Sequence, residues 1–104
     1  MSEYRFLIEA NELPEKGMKR LVVDDLDLVI CSTKEGVFVV QNLCSHAMAT
    51  LHDGRLRGCR LICPLHGASF DVRDGSVKGA PAKLPIRSFP ARIVDGRLEA
   101  DLSS

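Results

Sequence analysis

Two short stretches, Cys44-Ser45-His46 and Cys63-Pro64-Leu65-His66-Gly67, stand sixteen residues apart and constrain this chain more than any other feature. Each offers one thiol and one imidazole. The segment between them carries its own strand and turn signals, so folding can bring the pairs face to face. That would supply four metal ligands, Cys44, His46, Cys63 and His66, in two matched halves.

The remaining cysteines and the third histidine have plainer readings. Four cysteines would suggest two disulfides in an exported protein. Met1-Ser2-Glu3-Tyr4-Arg5, however, has none of the apolar character of a signal segment, and no window approaches the length of an apolar membrane span. The expectation is a soluble, cytoplasmic protein without membrane attachment, where thiols stay reduced and metal ligation is their better use. Cys31 ends the apolar run Leu28-Val29-Ile30, and Cys59 sits between Gly58 and Arg60, so both read as small buried or half-buried side chains. His52, just before Asp53-Gly54, lies outside both ligand stretches and reads as a solvated turn residue. Nucleic acid is a poor partner. Lys plus Arg and Asp plus Glu are both 14, and there is no Trp, so neither a basic field nor stacking platforms are supplied.

Residues 4–8, 18–23, 27–31 and 37–41 read as short strands rich in β-branched residues, punctuated by Asp24-Asp25 and Lys34-Glu35-Gly36. Nothing has the 3.6-residue periodicity of a long amphipathic helix. Asp53-Gly54 and Arg57-Gly58 mark turns inside the segment between the ligands, and Arg60-Leu61-Ile62 runs straight into Cys63. Beyond His66, residues 69–72 and 76–78 flank an Asp74-Gly75 turn. Pro81 and Pro85 confine residues 79–85 to an extended loop, because proline donates nothing to a strand ladder. Residues 86–94 form a strand interrupted by Pro90, and residues 98–102 close the sheet after the Asp95-Gly96 hairpin. The whole is one all-β domain, residues 1–104.

The pattern Cys-x-His, sixteen residues, Cys-x-x-His, continuing through Gly67 to Phe70-Asp71, resembles the Rieske-type 2Fe-2S proteins. The surrounding chain resembles the small Rieske ferredoxins of bacterial aromatic-ring-hydroxylating dioxygenase systems. The resemblance implies a Rieske fold: antiparallel base sheets, as a sandwich or small barrel, with a cluster-binding β-subdomain of about residues 43–82 inserted. It implies one 2Fe-2S cluster, with Cys44 and Cys63 on one iron and His46 and His66 on the other. It also implies electron transfer in aromatic hydrocarbon catabolism, from an NAD(P)H-dependent flavoprotein reductase to a terminal oxygenase, with no organic substrate and no catalytic residue of its own. Two neutral imidazoles in place of thiolates leave less negative charge on the cluster, which raises its potential above that of an all-cysteine cluster.

Where quinol-oxidising Rieske proteins carry disulfide cysteines and hydroxyls near the cluster, this chain has Ala49, Leu65, Ala68 and Phe70. Fewer hydrogen bonds to sulfur place the expected potential toward the lower end of the Rieske range. A terminal oxygenase is excluded, because its mononuclear iron needs two further histidines and only His52 remains. No G-x-G-x-x-G is present for a built-in reductase. Two rivals stay open. One is the Rieske small subunit of an assimilatory nitrite reductase. The other is a zinc-stabilised interaction module, although zinc modules usually space like ligands together, whereas each stretch here mixes one of each. Met48 reads either as a gap-filler or as an apolar partner contact. Pro81 and its neighbours read as a loop covering the cluster.

Overall fold

The computed structural model describes residues 3–45, 49–65, 67–80 and 83–103. Its strands are β1 (Tyr4–Glu9), β2 (Gly17–Val23), β3 (Leu26–Thr33), β4 (Gly36–Gln41), β5 (Arg55–Arg57), β6 (Arg60–Ile62), β7 (Ser69–Asp71), β8 (Val77–Gly79), β9 (Ser88–Phe89), β10 (Ala91–Val94) and β11 (Arg97–Asp101). Short 3-10 turns occupy Ala10–Glu12 and Leu51–Asp53. The strands form three antiparallel sheets in the orders β1-β11-β10, β2-β3-β4-β9 and β5-β6-β7-β8. The all-β expectation holds.

The apolar run on β3 explains how the sheets stack. Successive side chains of a strand point to opposite faces, and Leu28, Val29, Ile30 and Cys31 are all fully buried. Leu28 and Ile30 pack with Leu98 and Phe89 toward the first sheet, whereas Val29 and Cys31 pack with Leu61 and Phe70 toward the third. The middle sheet is therefore a shared wall between two cores, which is why β3 reads as a continuous apolar run rather than an alternating one. Cys31 is a core side chain, as its sequence context suggested, and burial pushes its thiol up to about 12. Cys59 lies in the turn joining β5 to β6. Its thiol donates to the Glu35 carboxylate at 3.2 Å, and burial, followed by that contact, raises its pKa.

Residues 86–94 differ from the sequence expectation. They are not one interrupted strand: β9 pairs with β4, whereas β10 pairs with β11. The chain changes sheets at Pro90, which has no N–H to give either ladder and whose carbonyl accepts the Asp101 N–H at 2.8 Å. Residues 55–57, between the two expected turns, form a strand of their own. The Asp95-Gly96 hairpin is as expected. Both residues have positive φ, 53° and 74°, as a two-residue turn between twisted antiparallel strands requires.

Two glycines let backbone segments touch. A Cβ on Gly54 would lie 1.9 Å from the Ile62 carbonyl oxygen, and one on Gly75 would lie 2.0 Å from that of Ile86. Gly75 also holds φ at 81° and accepts the Ile86 N–H at 2.9 Å, so the far end of the 80s loop is pinned to the third sheet. The buried carboxylate of Asp71 adds a link to the middle sheet. Arg73 donates to it at 2.7 Å and to Glu35, beyond β3, at 3.1 Å.

Leu28→Ala should lower stability by about 2–5 kcal/mol, because a fully buried side chain between two sheets leaves a cavity that neither can fill. Calorimetry of the intact protein should show the corresponding fall in melting temperature. A second expectation concerns acid. The Arg73 guanidinium holds the Asp71 carboxyl below the usual carboxylate range, against the opposing effect of burial. A pKa lower in the folded state stabilises above the unfolded value of about 3.9 and is lost as pH falls through and below it. Asp71→Asn should therefore lower the urea midpoint at neutral pH, and the gap from the parent should narrow as pH drops toward about 3.

Candidate metal centre

Cys44 and Cys63 stand in loops closed the same way. The Cys44 N–H donates to the Ala49 carbonyl at 3.0 Å, and the Cys63 N–H donates to the Ala68 carbonyl at 2.7 Å. In each case the bond spans five residues and bends the chain back behind the cysteine. The first loop follows β4, and the second is strung between β6 and β7. Both sulfurs are buried, with Cys44 3% and Cys63 2% exposed, and both are free thiols. Burial raises the Cys63 thiol, the Leu65 backbone N–H pointing at its sulfur works the other way, and the Cys44 side chain is its hydrogen-bonding neighbour. The fold thus brings the two sulfurs together at one end of the second core, beside Leu61 and Phe70.

His46, Ala47, Met48, His66, Pro81 and Ala82 lie outside the described residues, so the expectations for His46, His66, Met48 and Pro81 fall there. No group of three or more His, Cys, Asp or Glu side chains gathers among the described residues. Any metal held by the two thiols would need ligands from the undescribed positions, and each loop carries one histidine there. The donor set suits iron and sulfide: two thiols in a dry pocket with a backbone N–H already directed at one sulfur.

Gly67 closes the second loop at a φ of 74°. A Cβ there would meet no protein atom within 4 Å. Its backbone angle is what calls for glycine. The 80s loop is tied to the first ligand loop, where the Ser45 hydroxyl donates to the Leu84 carbonyl. Leu43, Leu65 and Leu84, one from each of the three loops, are exposed. Ala68 and Phe70 are fully buried and bring no hydroxyl to this core, and Ala49 is buried as well.

Asn42 is the functional-site residue that the sequence reading passed over. It is 1% exposed, and its side-chain oxygen accepts the His52 backbone N–H at 2.7 Å. That bond fixes the amide, so its NH₂ faces both Asp27 Oδ1 at 3.1 Å and His52 Nδ1 at 2.7 Å. His52 Nδ1 must accept, which places the imidazole proton on Nε2, 3.6 Å from Asp53. His52 is accordingly a half-buried network member on the Leu51–Asp53 turn rather than a solvated side chain. The network staples both ends of the first ligand loop, because the Asn42 N–H donates to the Asp27 carbonyl and the Leu51 N–H to the Asn42 carbonyl. A polar residue directly after the apolar strand of residues 37–41 was the available signal.

Comparison with known proteins gives a consistent picture. The family model for the Rieske [2Fe-2S] domain matches residues 3–90. The ferredoxin component of the naphthalene 1,2-dioxygenase system from Pseudomonas aeruginosa is 34% identical over 92 residues, covering 88% of each chain. Among solved structures, the ferredoxin of Sphingomonas yanoikuyae B1 superposes with a TM-score of 0.88 at 31% identity, covering 95% of this chain and 98% of that one. The complex of reduced oxygenase and oxidised ferredoxin in carbazole 1,9a-dioxygenase gives a TM-score of 0.86 at 22% identity, covering 97% and 94%, and shows the fold alone. With the two cysteine loops, the stacked antiparallel sheets and a family match across most of its length, the chain belongs to the Rieske [2Fe-2S] domain family.

Proposed function

We propose that this chain is the ferredoxin component of a bacterial ring-hydroxylating dioxygenase system, an electron carrier rather than a catalyst. The observation that carries the reading is the pair of equivalent loops that bury the Cys44 and Cys63 sulfurs side by side, in a chain whose relatives are named as dioxygenase ferredoxins. Those names favour this reading over the nitrite reductase subunit, and the mixed ligand spacing disfavours zinc.

In this reading Cys44 and Cys63 anchor one iron, and His46 and His66 hold the other. The segment of about residues 43–82 acts as the cluster-binding subdomain on the base sheets. When bound, a Rieske cluster supplies a single-electron site within about −150 to +300 mV. The chain's own contribution is to fix and dry that site. The loop closures set the cysteine positions, the Leu65 N–H is directed at the Cys63 sulfur, and the Ser45–Leu84 contact keeps the 80s loop against the first ligand loop. The electron would arrive from an NAD(P)H-dependent flavoprotein reductase and leave for the terminal oxygenase. No helix among the described residues is long and apolar enough to cross a membrane, and the setting proposed is the cytoplasm.

A redox titration followed by electron paramagnetic resonance tests this. A rhombic Rieske-type signal should appear near or below about −100 mV, toward the lower end of the family range. Ala68→Ser, which offers a hydroxyl to the loop closed on Cys63, should raise the potential while leaving the signal Rieske-like. A signal at about +200 mV or above would overturn the assignment to a low-potential ferredoxin. Zinc in place of iron would overturn the electron-carrier reading altogether.

A further inference from the structure

The β5–β6 hairpin presents a face that nothing in the fold requires. Its core side is apolar, with Leu56 opposite Leu61 and then Phe70 on the next strand. On the other side Arg57 is paired directly with Arg60, and Arg55 follows on the same face at a spacing of two residues. All three are exposed. Among the described residues none of them forms an ion pair, whereas Arg73 is taken up by Asp71 and Glu35. Like charges opposite each other across a hairpin weaken it, and although Arg60 also stands opposite Asp71 on β7, that carboxylate is taken up by Arg73, so the Arg57–Arg60 pair is left uncompensated by an ion pair among the described residues.

This face leads directly to the metal centre. A groove of about 490 Å³ is lined by Arg55 and Arg57 at one side and by Cys63, Pro64 and Gly67 at the other. Asp53 is its one acidic side chain, and it accepts the Thr50 hydroxyl. The exposed Leu65 continues the rim beyond Pro64. An apolar tip beside a charged flank is the anatomy of a protein interface. The chain as a whole has zero net charge, so this local excess of positive charge orients an encounter without attracting acidic molecules to every surface.

We propose that the Arg55–Arg57–Arg60 face is the electrostatic half of the redox docking surface, and that its occupant is a carboxylate-rich rim on the partner protein that exchanges the electron. The inference rests on the electron-carrier reading and names the partner chemistry it needs. A cationic rim would be disfavoured by the same three guanidiniums.

Three measurements on the cluster-loaded protein test it. Stopped-flow oxidation of the reduced protein by hexacyanoferrate(III), a trianion, should slow as salt rises, whereas oxidation by hexaamminecobalt(III), a trication, should speed up. Arg57→Glu with Arg60→Glu should slow the anionic reaction at low salt by roughly tenfold, with the resonance signal unchanged. The neutral pair Arg57→Gln with Arg60→Gln should fall between. Fluorescent poly-L-glutamate, standing in for the acidic rim, should bind the parent and lose binding in the glutamate variant. Anisotropy reads that contact without an electron, so a chain lacking a cluster would sink the electron-carrier reading by a separate route. The docking proposal is overturned if both variants keep the parent's rates and polyglutamate affinity. It is overturned equally if sedimentation at low salt shows a dimer that the glutamate variant abolishes, because the face would then belong to a second copy.

Discussion

The central strand of the middle sheet, β3, is buried on both faces, and the rest of the molecule depends on that. β3 carries the constraint in its purest form: Leu28 and Ile30 serve the base core, Val29 and Cys31 serve the core under the cysteine loops, and all four are fully buried. A small chain has little apolar surface to spare, and sharing one strand between two cores makes each apolar residue count in a packed interior. It also ties the sheet that carries the Cys63 loop to the base without a linker. The four strands β5 to β8 are inserted between β4 and β9, which both belong to the middle sheet. The inserted unit therefore begins and ends on the same rigid layer.

On that foundation the two cysteine loops are held by polar contacts of three kinds. The cysteine N–H groups close each loop on its own alanine carbonyl. Asn42 secures the two ends of the first loop through Asp27 and His52. Ser45 and Gly75 then bring in the 80s loop from its two sides, at Leu84 and Ile86. Buried hydrogen-bonded networks of this sort are valuable because leaving any member unpaired costs about 1–3 kcal/mol. A site that must hold its ligands through repeated gain and loss of an electron benefits from such fixed surroundings.

Much of this was legible in the sequence because the signals are local. Turn pairs such as Asp95-Gly96 and strands such as residues 60–62 and 91–94 are set by nearest neighbours, and the Cys-x-His and Cys-x-x-His spacing is specific in itself. What was not legible depends on distant partners. That residues 88–89 and 91–94 belong to different sheets is decided by β4 and β11, not by Pro90 alone. Asn42 looked like an ordinary loop residue until folding put Asp27 and His52 against its amide, and the same contacts turned His52 from a solvated turn residue into a half-buried one.

Net charge illustrates the same limit at the scale of the surface. Equal numbers of acidic and basic residues exclude a protein-wide field, but they say nothing about how charge is distributed. Arg55, Arg57 and Arg60 are close in sequence, yet only the register of β5 against β6 shows that they share one face and that two of them directly oppose each other. Exposed charges at such a separation are screened over about 8–10 Å at ordinary ionic strength. Their influence is therefore confined to the side of the molecule that carries the Cys63 loop, where short-range guidance would matter most to an electron carrier that must dock and release quickly.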